Sequence, residues 1–268
     1  MRNFTRLMTG AIAATVALQP AAAQTALTPE QQTFFGLYKQ LVETNTTLSA
    51  GSCTQAAAQI ATRLKAAGYK DSDVTQFSVP DHPKEGGLVA ILPGSNKNAK
   101  AVLLLAHLDV VEAKREDWVR DPFTLIEEGG YYYARGTVDD KAMAAVWADS
   151  MIRFKQAGYK PKRTIKLALT CGEETTFAWN GAQYLTKTRP DLIAAGVVLN
   201  EGGGGRLNAD GKQQTLAMQV GEKAAQNYTL TATNPGGHSS MPVPSNAIYA
   251  MSAALLKVGG YEFPLQFN

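Results

Sequence analysis

Four short groups of acidic and imidazole side chains could do hydrolytic chemistry: His107 with Asp109, Asp139 with Asp140, Glu173 with Glu174, and Glu201 after Asn200. Taken singly, each has a bland reading. A histidine after an apolar run is usually a satisfied core residue, and neighbouring acids are usually a solvated surface. Here, however, Glu173-Glu174 follow the apolar run Leu167 to Cys171, and Glu201 follows Val197-Val198-Leu199. Carboxylates that end buried strands repel one another and lose hydration unless a cation or a proton compensates them. Asp139-Asp140 repeats the problem, and a pair of divalent cations relieves all three placements.

Carboxylates and one imidazole suit zinc, although cobalt or manganese accepts the same groups. A bridged metal pair lowers the pKa of a shared water and polarises a carbonyl, which leaves a nearby carboxylate free to act as base and proton shuttle. The chemistry expected is amide hydrolysis without a covalent intermediate. His107 and Asp109 stand two apart at a strand end, so both side chains can share a face and Asp109 can hold the imidazole in one tautomer. Ser239 and Ser240 beside His238 offer a serine hydrolase only weakly, because the Gly-x-Ser-x-Gly elbow is missing.

These residues need a sheet to bring them together. Thr28-Pro29-Glu30-Gln31 opens a first amphipathic helix, and Ser52 caps a second that Gly68 ends. Strands are predicted at Val74 to Val79, Leu88 to Leu92, Ala101 to Leu105, Ile165 to Thr170 and Gly196 to Leu199, with a hairpin over Thr124 to Ala134. Helices are predicted over Lys141 to Gln156 and Ala178 to Lys187. Strands alternating with helices predict an α/β fold, a mostly parallel sheet flanked by helices, with ligands at the carboxyl ends of the strands. Beyond about Gln214 the pattern changes to alternating strands, Leu216 to Val220 and Tyr228 to Thr233, then a helix over Ser245 to Val258. A domain boundary is placed near Gly221.

With 268 residues, 45% hydrophobic and 18% charged, the chain is large enough for one core or two. Residues 1–23 combine Arg2 and Arg6, an apolar stretch from Leu7 to Leu18, and Ala21-Ala22-Ala23 before Gln24, the pattern of a cleaved secretory signal. That stretch is too short to span a bilayer, which needs ~20 residues. Removing it takes the net charge from +3 to about +1, which points to neither nucleic acid nor an anionic membrane as partner. The expected location is secreted or periplasmic. Only Cys53 and Cys171 are present, and their spacing leaves pairing open.

With Ala106-His107-Leu108-Asp109-Val110-Val111, Asp117-Trp118, Asp121-Pro122-Phe123, Arg135-Gly136, Asp139-Asp140-Lys141, Glu173-Glu174, Asn200-Glu201-Gly202-Gly203 and Gly237-His238-Ser239-Ser240-Met241-Pro242 in order, the chain resembles a zinc metallopeptidase family. That family contains glutamate carboxypeptidase, succinyl-diaminopimelate desuccinylase, acetylornithine deacetylase, aminoacylase and yeast vacuolar carboxypeptidase. The resemblance implies two divalent metal ions, most readily zinc. His107 and Glu201 would bind one, Glu174 the other, and Asp139 would bridge them. Asp109 would orient His107, Glu173 would be the general base, and the peptide after Asp139 would be cis. His238, in an inserted α+β lid, would stabilise the oxyanion in a partner subunit of a homodimer.

The expected organisation is therefore a signal (1–23), a metal-binding catalytic domain (24–220) and the first half of a lid and dimerisation domain (221–268). The family's last ligand is a histidine far downstream, and His82, ahead of the central strand, does not match it. An N-terminal part of a longer protein is accordingly expected, with the sheet and lid both incomplete. The substrate implied is a small peptide or an N-acyl amino acid. A zinc aminopeptidase and a non-catalytic peptide- or amino-acid-binding protein are the alternatives.

Overall fold

The computed structural model describes residues 26–79, 81–175, 179–219 and 226–264, so the expected signal over 1–23 lies outside the described residues. Helix α1 (Pro29–Glu43) begins in a closed capping box: Thr28 Oγ1 accepts the Gln31 N–H at 3.3 Å and Gln31 Oε1 accepts the Thr28 N–H at 2.9 Å. Helix α2 (Cys53–Ala66) is capped by Ser52, whose Oγ accepts the Gln55 N–H at 3.1 Å. Strands β1 (Val74–Val79), β2 (His82–Leu92) and β3 (Val102–His107) follow. The hairpin β4 (Ile126–Glu128) and β5 (Tyr131–Tyr133) turns on Gly129 and Gly130, with φ of 61° and 82°, the left-handed pair that a two-residue hairpin turn demands. Helix α3 (Lys141–Gln156), strand β6 (Ile165–Thr170), helices α4 (Gly181–Thr188) and α5 (Pro190–Ile193), and strand β7 (Val197–Leu199) complete the first unit.

The main sheet runs β1-β2-β6-β3-β7. The three strands that end at the chemical residues, β6, β3 and β7, are parallel as expected, but β2 pairs antiparallel with both β1 and β6, so the sheet is mixed. For β1 and β2 the cause is local: Val79 already pairs with His82, and so short a return can only run antiparallel. Helices cover both faces. On one, Leu41, Ile60 and Met151 from α1, α2 and α3 pack on Leu88, Leu104, Leu167 and Leu169; on the other, Leu185 and Leu192 from α4 and α5 pack on Val89, Leu103 and Ala168. Two-sided burial explains why β3 and β6 read as nearly continuous apolar runs. Each large side chain so buried contributes about 1.5–3 kcal/mol. The cysteines pair: Cys53 at the start of α2 is bonded to Cys171, the residue after β6.

The chain divides into compact units at Gly202 and Gly203, earlier than the expected boundary near Gly221. In the second unit β8 (Gly204–Leu207) and β9 (Gln213–Ala217) form their own antiparallel hairpin, which takes in the glycine run and the start of the predicted Leu216 strand. Helix α6 (Ala247–Gly259) is capped by Asn246, whose Oδ1 accepts the Ile248 N–H at 2.8 Å. The strand expected over Tyr228 to Thr233 is not formed. Its alternation marks a half-buried face, but a strand also needs a partner, and among the described residues none pairs with it. No described helix is long and apolar enough to cross a membrane.

Candidate metal centre

Strand register brings the acids level with the imidazole. His107 ends β3 opposite Thr170 of β6, and Gly172 then turns the chain so that Glu173 and Glu174 come to lie beside His107. Gly172 has φ 91°, and a Cβ there would stand 1.8 Å from the Trp179 carbonyl oxygen, so both conformation and space require glycine. Leu104 pairs with Leu199 of β7, and Glu201 follows two residues later, level with Ala106. Asp139 arrives from the other side, at the loop leading into α3. The peptide between Asp139 and Asp140 is cis.

His107 is 3% exposed and is gripped at both ring nitrogens. Its Nδ1 lies 3.0 Å from the Asp109 carbonyl oxygen and 3.5 Å from Asp109 Oδ1. Both are acceptors, so Nδ1 carries the proton and Nε2 is left to face the acids. Around Nε2 stand Asp139 Oδ1 at 3.0 Å, Glu201 Oε2 at 3.8 Å and Glu173 Oε2 at 3.9 Å. Two sets of donors result, His107 with Asp139 and Glu201, and His107 with Glu173 and Glu174, each with its donor atoms within 4.8 Å of one another. His107 belongs to both; the second set holds Glu173 where a second histidine is expected, and Asp139 stands in the first alone. Cys53, Asp109 and Cys171 also lie together, but the sulfurs are bonded to each other and are not donors.

The electrostatics show what this arrangement lacks. Burial raises the pKa of Glu173 and of Glu174, and the neighbouring carboxylates raise both further against the opposing pull of His107. Asp109 is held below its usual range: burial pushes it up, but His107 and the Glu173 and Glu174 N–H groups outweigh that. Four carboxylates crowded around one nitrogen, with the charged forms of Glu173 and Glu174 disfavoured, fit two divalent cations, most readily zinc.

One consequence is measurable by titration. Without metal the His107 ring is pulled down by burial, but Asp109, Asp140 and Glu201 overcome this and push it up from 6.5 to about 10. Metal binds only the neutral ring, so below that value zinc must displace a proton, and affinity rises with pH. We expect about one proton released at the first zinc and an apparent affinity rising up to about tenfold per unit between about pH 6 and pH 8. Calorimetry in buffers of different ionisation heat measures both, and zinc uptake without proton release contradicts the assignment.

Three further residues hold the site, none of them given a role by the sequence reading. Asp140 Oδ2 accepts the His107 backbone N–H at 3.1 Å. Burial, then the charges of Glu201 and Asp139, push its pKa up to about 7 against His107. Lys141 is fully buried and donates from Nζ to the Thr44 carbonyl at 2.7 Å; burial brings its pKa down to about 7. Tyr38 donates from its hydroxyl to the Thr137 carbonyl at 2.8 Å and ties down the approach to Asp139. Asp140 and Lys141 stand beside Asp139 in the sequence, whereas nothing local to Tyr38 marks it. His238 belongs to the second unit, where its Nδ1 accepts the Ser240 N–H at 3.2 Å and lies 2.7 Å from Ser240 Oγ.

A parallel three-strand core with acids and one imidazole at its carboxyl edge defines a metal-dependent hydrolase scaffold. The pattern described as "Peptidase family M20/M25/M40" matches residues 103–265, and the chain belongs to that family. It is 32% identical over 202 residues to an N-fatty-acyl-amino acid synthase/hydrolase, PM20D1, of Xenopus tropicalis, covering 73% of this chain and 39% of that protein. It is 30% identical over 167 residues to Aminoacylase-1 of Mus musculus, covering 60% of this chain and 39% of the relative. Among solved structures, an M20 family metallo-carboxypeptidase, Sso-CP2 from Sulfolobus solfataricus, superposes with a TM-score of 0.53 at 22% identity over 69% of this chain and 39% of its own; this establishes the shared fold. The chain thus spans about two-fifths of the length of the relatives it matches.

Proposed function

We propose that the protein is an exported zinc-dependent amidohydrolase that frees an amino acid from an N-acyl amino acid, with small peptides as the second substrate class. The carrying observation is the gathering of Asp139, Glu173, Glu174 and Glu201 around His107 at the strand ends. The names of the relatives in frogs and mice, an N-fatty-acyl-amino acid synthase/hydrolase and an aminoacylase, support the acyl reading.

In this reading His107, Asp139 and Glu201 would hold one ion and Glu174 would bind the other, with Asp139 shared by both. Bound ions there supply a water of lowered pKa and polarise the scissile carbonyl. Glu173 is the base. Its side chain is 51% exposed, open to a substrate, and its raised pKa brings it toward the range in which a carboxylate both takes a proton and returns it to the leaving nitrogen. Asp109 keeps the His107 proton on Nδ1. His238 accepts at Nδ1, so its neutral ring carries the proton on Nε2, a donor suited to an oxyanion across a homodimer.

Export is supported by the pattern over 1–23 and by the bond between the chain's two cysteines, since disulfides persist in oxidising compartments. The functional test is release of free amino acid from N-acyl amino acids of graded chain length and from dipeptides. Zinc-dependent release that a chelator stops is expected. Hydrolysis only of substrates with a free amino terminus would favour an aminopeptidase, and calorimetric binding without cleavage a binding protein.

A further inference from the structure

Beside Asp109 lies a cavity of about 10 Å³ lined by Thr46, Glu85, Asp109 and Thr175 and by the Cys53–Cys171 disulfide. Thr46 Oγ1, Glu85 Oε2 and Thr175 Oγ1 are buried and, among the described residues, have no hydrogen-bond partner, and the buried Asp109 Oδ1 has only the long 3.5 Å approach of His107 Nδ1. Thr46 is 1% and Asp109 2% exposed. Buried polar atoms are very rarely left this way, and four around one cavity point to a shared partner. The volume is that of one water.

We propose that this cavity is a binding site for a single structural water that locks Asp109 and, through it, His107. The chemistry balances. Two of the four atoms are carboxylate oxygens, which only accept, and two are hydroxyls, which can donate. One water gives its two protons to Asp109 Oδ1 and Glu85 Oε2 and receives those of Thr46 and Thr175, which completes four bonds with none left over. Asp109 Oδ2 already accepts the Glu174 N–H at 2.9 Å, so the water fixes the remaining oxygen and the carboxylate cannot rotate. Thr46, Glu85 and Thr175 are thereby positioning residues for a side chain none of them resembles in sequence context. The proposal stands on the cavity and its atoms; only its effect on zinc rests on the proposed function.

The test is a crystal structure of the zinc-soaked protein together with zinc affinities of Thr46→Val, Thr46→Ser and Thr175→Val. Expected is one density peak about 2.6–3.2 Å from at least three of the four oxygens. Thr46→Val and Thr175→Val should each lose zinc affinity by roughly tenfold, the scale for groups that orient a ligand, while Thr46→Ser, which keeps the hydroxyl, stays near the parent. Should Thr46→Val fail to fold, Thr175→Val, nearer the surface, carries the comparison. Direct bonding of the four side chains with no peak between them overturns the site, as does a peak with six oxygens at about 2.3–2.6 Å, the signature of a cation. A water present with both valine variants unchanged in zinc affinity overturns the positioning role. If the parent protein takes up no zinc, the proposed function fails while the density still decides the water.

Discussion

Glu173→Gln should leave the metal content unchanged and lower kcat by about 10²- to 10⁴-fold, the contribution typical of a positioned general base. The amide keeps the size and most of the polarity of the carboxyl group but cannot take a proton. Because Glu173 stands 3.9 Å from His107 Nε2 and is half-exposed, its loss neither opens a core cavity nor strips a ligand from the set formed by His107, Asp139 and Glu201. Thermal stability should therefore move little, and substrate binding should persist. The measurement is steady-state kinetics on an N-acyl amino acid beside elemental analysis of the same sample. Near-parental kcat at full zinc removes Glu173 from the base role; loss of zinc makes it a ligand instead, as its place in the second donor set allows.

The second large effect belongs to His107. Its imidazole is the one nitrogen donor in both sets, so His107→Ala should weaken zinc binding by more than about 100-fold at each, beyond the scale seen when only a supporting group is lost. Asp140, Glu173 and Glu174 would then lose the His107 charge that holds their pKa values down, and those values should move up. Zinc per chain after dialysis, by mass spectrometry, reads the outcome. Full retention at either set would mean that the carboxylates alone suffice there and that the shared-histidine geometry is wrong.

The gathering of these side chains was legible in the sequence, and the reason is burial. Apolar runs at Ile165 to Thr170 and Leu103 to Leu105 can only be covered strands, and charged residues at their ends then need a partner, which directs attention to His107, Glu173, Glu174 and Glu201. Helix α3 was equally plain, since Met143, Val146, Trp147, Ser150 and Met151 recur at helical spacing and Gly158 stops it. What pairs across long sequence distances was not legible. Nothing local says that β2 inserts between β1 and β6, that Cys53 meets Cys171, or that Thr44 receives the buried ammonium of Lys141. The early boundary at Gly202 went unseen because a glycine run reads as a loop whether it links units or starts a hairpin. Alternation over Tyr228 to Thr233 misled for the opposite reason, since a half-apolar stretch declares a face but not a neighbour.

The donors come from four separate places: the end of β3, the loop before α3, the end of β6 and the residues after β7. No short segment contains a complete set. While the chain is being made, it offers only scattered single ligands that hold an ion weakly. Selection of the metal is thus postponed until β6, β3 and β7 have zipped together. Donor chemistry alone discriminates poorly among first-row ions, whose intrinsic order would favour copper over zinc. The ion that the finished molecule carries is then set by whichever pool surrounds it at the moment of folding.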